Sequence, residues 1–129
     1  MTAARELRFA FTFDDYDAAL HLFRDVFGLE TLMDLDHQGG KGVILKAPVA
    51  TIELFDRAHT RYVDEIEVGR PLGETVRIAV RVDDLDSASD EVEDAKAVPI
   101  ADPVDTPWGD RNRRYRTIDG LQLTLFAEP

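Results

Sequence analysis

The chain repeats a twelve-residue segment, and this internal repeat constrains its fold more than any other feature. Residues 8–19 read RFAFTFDDYDAA and residues 77–88 read RIAVRVDDLDSA. At a constant offset of 69, six of the twelve positions are identical, and four more exchange one large apolar side chain for another. Such self-similarity predicts two related structural units. We interpret the chain as a single domain with a half-module over residues 1–60, a linker over 61–74 and a half-module over 75–129.

Each half is predicted to fold as strand, helix and three further strands. Apolar residues alternate with small or polar ones in both copies of the repeat, which indicates an opening strand. The paired aspartates that follow are typical helix caps. The predicted later strands lie at 30–36, 42–47 and 50–55 in the first half, and at 98–101, 111–117 and 121–126 in the second. Within the linker we expect at most a helical turn near residues 62–66.

The alternation also predicts a cleft. In the opening and last strands of each half, one alternating set of residues lies on the face away from the helices, and the set is mostly small or polar. Its members are Arg8, Ala10, Thr12, Thr51, Glu53, Phe55, Arg77, Ala79, Arg81, Gln122, Thr124 and Phe126. Curled sheets with helices outside would place this face around a cleft, which is the default binding site. Because arginines outnumber the single glutamate there, the cleft is expected to be locally basic.

Composition narrows the class of protein. The 129 residues include no cysteine, which excludes disulfide scaffolds, cysteine-ligated zinc and cysteine nucleophiles. No apolar run approaches the ~20 residues of a membrane-spanning helix, and the N-terminus lacks a secretory signal, so we expect a cytoplasmic protein. A net charge of −11 argues against nucleic acid as a partner.

Recognisable motifs follow one another in a fixed order through both halves. They are FDD at 13–15, FRDVFGL at 23–29, IELF at 52–55, IAVRVDDLD at 78–86, TPWGDR at 106–111 and IDGLQLTLF at 118–126. This order, with the repeat, resembles the vicinal oxygen chelate superfamily, the glyoxalase/bleomycin resistance protein/dioxygenase group. The Pro-Trp-Gly stretch is most similar to its non-metal, bleomycin-resistance-like branch. The resemblance implies an α+β fold of two tandem βαβββ modules, forming curled mixed sheets around a cleft, and a homodimer.

The resemblance also implies where a metal would bind. The metal-ligand positions of the superfamily fall on Arg8, Glu53, Arg77 and Thr124. Arginine is always cationic and offers no lone pair, so only Glu53 keeps a ligand-type side chain. We therefore predict no bound metal and no cofactor. The three histidines, at 21, 37 and 59, lack ligand-pair spacing and are expected to be packed or solvated.

Two interpretations of the charged residues stay open. Glu53 could form an ion-paired plug with Arg8 and Arg77, or the two arginines could clamp a ligand carboxylate. Trp108 could be a hydrophobic lid or a wall on which a ligand stacks. The arginines at 111, 113, 114 and 116 are expected to form local ion pairs with Asp105, Asp110 or Asp119.

These observations lead to three functional hypotheses. The first is a protein that binds a small molecule in the cleft without a metal, through the ligand-binding residues Arg8, Thr12, Phe55, Arg77, Trp108, Tyr115, Thr124 and Phe126. The second is a lyase, isomerase or dioxygenase-type enzyme with Glu53 as general base. The third is a protein-interaction module that has lost the cleft. The expected partners are a small molecule and a second copy of the chain, with neither nucleic acid nor a membrane.

Overall fold

Pairing between the two copies of the repeat organises the sheet. The computed structural model describes residues 1–26, 28–47, 50–117 and 120–129. The repeat forms β1 (Glu6–Thr12) and β5 (Val76–Arg81), which pair antiparallel with Arg8 opposite Ala79 and Ala10 opposite Arg77. Because these two strands are central, both halves belong to one continuous sheet. The curled sheets expected for the two halves are thus joined edge to edge into one.

The remaining strands extend this sheet on both sides. They are β2 (Glu30–Asp34), β3 (Gly42–Lys46), β4 (Thr51–Phe55), β6 (Val98–Pro99), β7 (Val104–Asp105), β8 (Arg111–Arg116) and β9 (Gln122–Ala127). Among the described residues the strand order is β2-β3-β4-β1-β5-β9-β8-β6, with β7 paired to β8. β4 is parallel to β1 and β9 is parallel to β5, while the other neighbours are antiparallel.

The sheet curls without closing. Met33 of β2 and Asn112 of β8 come from nearly opposite ends of the strand order, yet both line the same cavity. Each half contains a strand, a helix and three further strands, with β7 as a short addition in the second half. The predicted α+β fold with two βαβββ modules around a cleft is confirmed.

Two helices cover the convex face of the sheet. α1 (Tyr16–Leu20) continues as a π-helical segment over His21–Val26, and Tyr16 packs with Leu45 and Leu54. In the second half, α3 (Leu85–Asp94) packs Leu85 and Ala88 against Leu125. Asp84 caps α3 by accepting a hydrogen bond from the backbone N–H of Ser87. The sequence also predicts an apolar stripe along the first helix at Tyr16, Leu20, Phe23 and Phe27, and Phe27 lies outside the described residues.

The segment between the halves is more ordered than the sequence predicted. Instead of one turn, it forms α2 (Arg57–Glu67), capped by Asp56, whose carboxylate accepts a hydrogen bond from the backbone N–H of His59 at 2.8 Å. α2 packs on the concave face, where Val63 contacts Ala10 and Phe55. Charged residues made this segment resemble a solvated linker, but its carboxylates at Asp64 and Glu67 are buried.

A buried arginine holds α2 on the sheet. Arg114 donates from Nη1 to Asp64 Oδ1 at 2.8 Å and to Gln122 Oε1 at 2.7 Å, and its Nε lies 3.4 Å from Glu67 Oε1. The guanidinium is fully excluded from solvent. Burying three charged groups is tolerable only because they compensate one another. This network therefore fixes one wall of the cleft.

Among the residues that the structure describes, one of the four β8 arginines pairs as the sequence suggested. Arg111 contacts Asp105 at 2.9 Å, as predicted. The others reach distant elements instead: Arg113 contacts Glu93, Arg114 contacts α2, and Arg116 contacts Glu74. Of the other two predicted partners, Asp110 faces Arg8 and Asp119 lies outside the described residues. Within the described part of the chain, no helix is long and apolar enough to cross a membrane.

Removing the buried guanidinium should be far more costly than removing an exposed one. The change Arg114→Gln leaves Asp64 and Glu67 buried without their cation, so we expect the free energy of unfolding to fall by about 3–5 kcal/mol. The matched change Arg111→Gln removes a pair whose arginine side chain is 42% exposed and should cost less than about 1 kcal/mol. Urea denaturation of the three proteins measures both. Similar small losses in both variants would contradict this account of α2.

Candidate ligand-binding cavity

A cavity of about 390 Å³ lies between the concave face of the sheet and α2. Strand alternation brings the predicted residues to it: Arg8 from β1, Glu53 and Phe55 from β4, Arg77 from β5, and Thr124 and Phe126 from β9, with Trp108 from the loop before β8. These elements are far apart in the chain, and the β1–β5 pairing brings them together. Seven of the residues named from the sequence therefore share one cavity.

Two predicted residues do not line this cavity. Tyr115 lies on the opposite face of β8, fully buried against Val82 and Leu85, and its hydroxyl donates to Glu93. Its assignment to the cleft was wrong because the alternation of β8 places Asn112 and Arg114 on the concave side. Thr12 lines a small neighbouring pocket, where its hydroxyl lies 2.8 Å from that of Thr60.

Arg8 is already well compensated. Its guanidinium contacts Glu6 at 3.2 Å, Glu53 at 3.7 Å and Asp110 at 3.9 Å. It also lies over the ring of Phe126, 4.3 Å from the centroid, at a distance typical of cation–π contacts. The positive charge of Arg8 is thus shared among groups of the protein itself.

Arg77, the equivalent arginine of the second repeat, has different surroundings. Its Nη1 donates to Thr124 Oγ1 at 2.8 Å. Among the described residues, no carboxylate oxygen lies within the 4.0 Å that defines an ion pair with its guanidinium. Burial lowers the pKa of Arg77 from its ordinary value, while the negative charges of Glu67 and Glu53 oppose that effect. Arg77 is therefore a partly buried cation on the cavity wall whose charge is incompletely neutralised.

Glu53 is a buried carboxylate whose pKa both arginines influence. Its side chain is 8% exposed, and burial raises the pKa of its carboxyl group above the ordinary value. The positive charges of Arg77 and Arg8 oppose this rise, and Glu67 and Glu6 add to it. Burial also raises the pKa of Asp110, against the influence of Arg8. The cavity thus holds carboxyl groups that take up a proton more readily than exposed ones.

The geometry contains parts of both interpretations of the charged residues. Arg8 and Glu53 form an ion pair on the cavity wall, as the interpretation of an ion-paired plug predicts. However, about 390 Å³ of the cavity stays open, and Arg77 does not belong to this pair. The expected locally basic character is wrong. Two arginines face four lining carboxylates, at Asp36, Glu53, Glu67 and Asp110. Arg81 lies outside the cavity, where it contacts Glu128 at 3.0 Å.

Sequence reasoning missed an aromatic cluster at one end of the cavity. His37 and His59 approach through their Nδ1 atoms at 2.9 Å, so one ring donates a hydrogen bond to the other. The His37 ring stacks on Tyr62 with centroids 4.3 Å apart, and the His59 ring meets the edge of Phe55 at 4.6 Å. Both histidines are packed, as expected, but the sequence spacing of 22 residues gave no sign that they pair. The side chain of His21 lies outside the described residues.

Glycine makes this histidine contact possible. A Cβ at Gly40 would lie 2.5 Å from His37 Cε1 and 2.7 Å from the backbone nitrogen of His59. The turn that carries His37 can therefore approach the start of α2 only if position 40 lacks a side chain. Burial, together with the neighbouring His37, lowers the pKa of His59 to about 4, against the opposing influence of Asp56.

Trp108 lies at the rim of the cavity. Its side chain lines the space and is 37% exposed, on a turn whose base is closed by the backbone N–H of Thr106 donating to the carbonyl of Asp110 at 2.8 Å. The ring can thus serve both as a partial cover and as a contact surface for a ligand.

The residues at the superfamily's metal positions do not fit a metal ion. Arg8 and Arg77 bring positive charge to the place where cation ligands are needed, Thr124 offers only a neutral hydroxyl, and Glu53 is the single anionic donor. In the described ranges, no group of three or more histidine, cysteine, aspartate or glutamate side chains is arranged to hold a metal.

Comparison with known protein families gives a match over most of the chain. A family model described as the Glyoxalase/Bleomycin resistance protein/Dioxygenase superfamily matches residues 7–125. No curated protein sequence matches the chain.

Several solved structures share the fold. A methylmalonyl-CoA epimerase from Mycobacterium tuberculosis is 17% identical with a TM-score of 0.70, and the match covers 98% of this chain and 89% of that one. A glyoxalase/bleomycin resistance protein/dioxygenase superfamily member from Vibrio splendidus 12B01 is 15% identical with a TM-score of 0.66, covering 99% and 100%. A variant methylmalonyl-CoA epimerase from Streptomyces coelicolor, in complex with 2-nitronate-propionyl-CoA, is 18% identical with a TM-score of 0.70, covering 97% and 94%. At such identities the likeness is one of fold.

The buried histidine predicts a pH dependence of stability. The pKa of His59 is about 4 in the folded protein and near 6.5 when unfolded, so the unfolded chain binds more protons between these values. The contribution of neutral His59 is complete above about pH 6.5 and is lost as the pH falls toward 4, by at most about 3 kcal/mol.

Urea denaturation over this pH range measures the loss. The non-titrating variant His59→Asn should show a flatter profile than the wild type. A wild-type slope in His59→Asn would refute this assignment.

Proposed function

The chain belongs to the Glyoxalase/Bleomycin resistance protein/Dioxygenase superfamily, and on this basis we propose that it binds a small organic molecule in the cavity without a metal at the superfamily's four ligand positions. This would place it beside the bleomycin-resistance-like members, as its Pro-Trp-Gly turn suggests. The homodimer and the cytoplasmic location stay predictions from the sequence.

The open cavity beside Arg77 is the observation that carries this proposal. About 390 Å³ lies within the ~300–1,000 Å³ range of small-molecule sites. A guanidinium without a close carboxylate on the wall of such a space favours a ligand that brings an oxygen acceptor. A protein-interaction module with a filled cleft is less well supported, because this cleft is not filled by its own side chains.

Aromatic side chains form much of the apolar wall of the cavity. Phe55, Tyr62, Trp108 and Phe126 line the same cavity as Arg77. Aromatic rings offer large apolar contact areas and prefer offset or edge contacts with other rings. We infer that the ligand combines a polar oxygen group with an apolar or aromatic body.

Titration of Trp108 fluorescence tests this proposal. Because Trp108 is the chain's single tryptophan and lies at the rim, a bound ligand should change its emission. We expect saturable changes with at least one member of a panel of aromatic acids, amides and amines. The change Arg77→Gln should weaken that ligand at least about tenfold, since hydrogen bonds to charged groups contribute about 1.5–3 kcal/mol.

Arg81→Gln is the matched control for this experiment. It alters another arginine on β5, outside the cavity, and should leave the affinity unchanged. Absence of saturable binding across the panel, by fluorescence and by thermal shift, would refute the proposed function.

A second candidate function is proton abstraction by Glu53. The supporting observation is a buried carboxyl group, with a raised pKa, in the same cavity as two guanidinium groups. A carboxylate of raised pKa is a stronger base, and the arginines would stabilise negative charge that develops on a substrate carbonyl oxygen. Structural neighbours named as methylmalonyl-CoA epimerases agree with this reaction class.

Deuterium exchange measures this activity directly. Methylmalonyl-CoA and propionyl-CoA are incubated with the protein in D2O, and loss of the proton next to the carbonyl is followed by NMR. If Glu53 is the base, Glu53→Gln should slow the exchange at least about 100-fold. Glu6→Gln, which removes another carboxylate near Arg8, should retain most of it. If exchange is no faster than in buffer, proton abstraction from these compounds is refuted, and binding without chemistry is the function that the cavity supports.

A further inference from the structure

We propose that Asn112 selects the ligand of the cavity, and that the ligand presents to it an uncharged amide, with an N–H group beside a carbonyl oxygen. The inference rests on the proposed function, since it assumes that the cavity binds a small molecule. To the contact with Arg77 it adds a specificity-determining residue and the chemical class of the group that this residue binds.

Asn112 is a buried amide side chain on the cavity wall. It lines the cavity and is 5% exposed. Among the described residues, its Oδ1 atom is buried without a hydrogen-bond partner. Buried polar groups in folded proteins are nearly always paired, because an unpaired one has lost its hydrogen bonds to water without replacement. The unpaired oxygen of Asn112, beside an open cavity, is therefore available to a molecule that enters it.

Other unpaired atoms lead to the same wall or lie elsewhere. In the described part of the chain, three more buried side-chain atoms have no hydrogen-bond partner, and they are Arg8 Nε, Thr51 Oγ1 and Arg114 Nη2. Thr51 and Arg114 do not line the cavity, whereas Arg8 does. Nε of Arg8 is a donor, and Oδ1 of Asn112 is an acceptor. Within the described residues, the cavity wall thus carries both an unpaired donor and an unpaired acceptor.

These two residues are both neighbours of Phe126. In the strand register Asn112 on β8 lies directly opposite Phe126 on β9. The guanidinium of Arg8 lies over the Phe126 ring, 4.3 Å from its centroid. Arg8 Nη1 is also 3.9 Å from Oδ2 of Asp110, two residues before Asn112. The unpaired donor and acceptor therefore belong to one part of the wall, around a single aromatic ring.

The backbone of Asn112 is held on both sides, while its side chain is adjustable. Its strand pairs with β7 at Val104 and with β9 at Phe126. Rotation about the terminal torsion of an asparagine side chain has broad, shallow minima, so the amide can turn either end toward the cavity. A fixed backbone with an adjustable amide allows hydrogen bonding to a ligand without movement of the sheet.

An uncharged amide fits these groups better than an ion does. Its N–H donates to Oδ1 of Asn112, and its carbonyl oxygen accepts from Nδ2 of Asn112 or from Nε of Arg8. A carboxylate lacks the N–H group. An ammonium group lacks the acceptor and would lie close to the positive charge of Arg8. This part of the wall therefore favours a carboxamide or a lactam over a charged group.

Calorimetry with four probes that share one ring tests the ligand class. Benzamide carries the amide, N,N-dimethylbenzamide lacks its N–H groups, benzoate is an anion and benzylamine is a cation. We expect benzamide to bind at least about tenfold more tightly than N,N-dimethylbenzamide, because the methylated amide leaves Oδ1 of Asn112 unpaired. Benzoate and benzylamine should bind more weakly than benzamide.

A variant of Asn112 separates hydrogen bonding from the larger size of the methylated probe. Asn112→Leu removes the amide and keeps a branched side chain, so its affinities for benzamide and N,N-dimethylbenzamide should lie within about twofold of each other. The matched control Gln38→Leu removes an exposed amide outside the cavity and should keep the wild-type preference. Melting temperatures of both variants verify that they fold.

Asn112 is the single asparagine of the chain, which allows a measurement on the unsubstituted protein. Asparagine labelled with nitrogen-15 in its side-chain amide gives one pair of Nδ2 proton signals, and both belong to Asn112. Saturation with benzamide should shift this pair, because the amide then forms hydrogen bonds with the ligand. This measurement stands even if Asn112→Leu fails to fold.

The outcomes separate this proposal from the broader one. Equal binding of benzamide and N,N-dimethylbenzamide, unchanged Nδ2 signals, or a preference that persists in Asn112→Leu overturns the role of Asn112. Tighter binding of benzoate or benzylamine than of benzamide overturns the ligand class and leaves small-molecule binding intact. Absence of binding by every member of the wider panel refutes the proposed function itself.

Discussion

The antiparallel pairing of β1 with β5 is the interaction on which the rest of the structure depends. It joins the two copies of the repeat along their hydrogen-bonding edges and makes one sheet from two halves. The register places Arg77 opposite Ala10 and Arg8 opposite Ala79, so each arginine has a small neighbour across the strand pair. Both guanidinium groups then have room on the concave face. Since a shift by one residue would send these side chains to the other face, the register itself determines the cavity.

Strand alternation explains why much of the fold could be predicted from the sequence. The repeat, the apolar faces and the helix caps are local patterns, and they indicated both βαβββ modules and the side of the sheet on which Arg8, Glu53 and Thr124 lie. Tyr115 was misplaced because its assignment to the cleft followed from its aromatic ring and not from its position in the alternation of β8. Asn112 lines the cavity, and counting from it along β8 places Tyr115 on the helix side.

Other features depend on contacts between distant residues that no local pattern encodes. α2 has buried carboxylates at Asp64 and Glu67, and they make sense only once Arg114, about fifty positions later, is placed beneath the helix. The His37–His59 contact likewise depends on a turn and a helix that meet only in the folded chain. A sequence shows that such groups are charged or aromatic. It does not show which of these groups are buried in contact with one another. For this reason the sequence did not predict the carboxylates and histidines that α2 and the neighbouring turn bring to the cavity.

The cavity has a buried end and an end that is open to solvent, and this difference constrains the orientation of a bound molecule. Glu67 and Thr124 are almost completely buried at the buried end, whereas Met33 is 52% exposed and Trp108 is 37% exposed. A molecule whose polar head reaches Arg77 therefore has its opposite end at the surface, between β2 and the loop that carries Trp108. The tail of the ligand proposed above would not be limited by the enclosed volume, so the same opening would allow selectivity for the head group and tolerance toward the rest of the molecule.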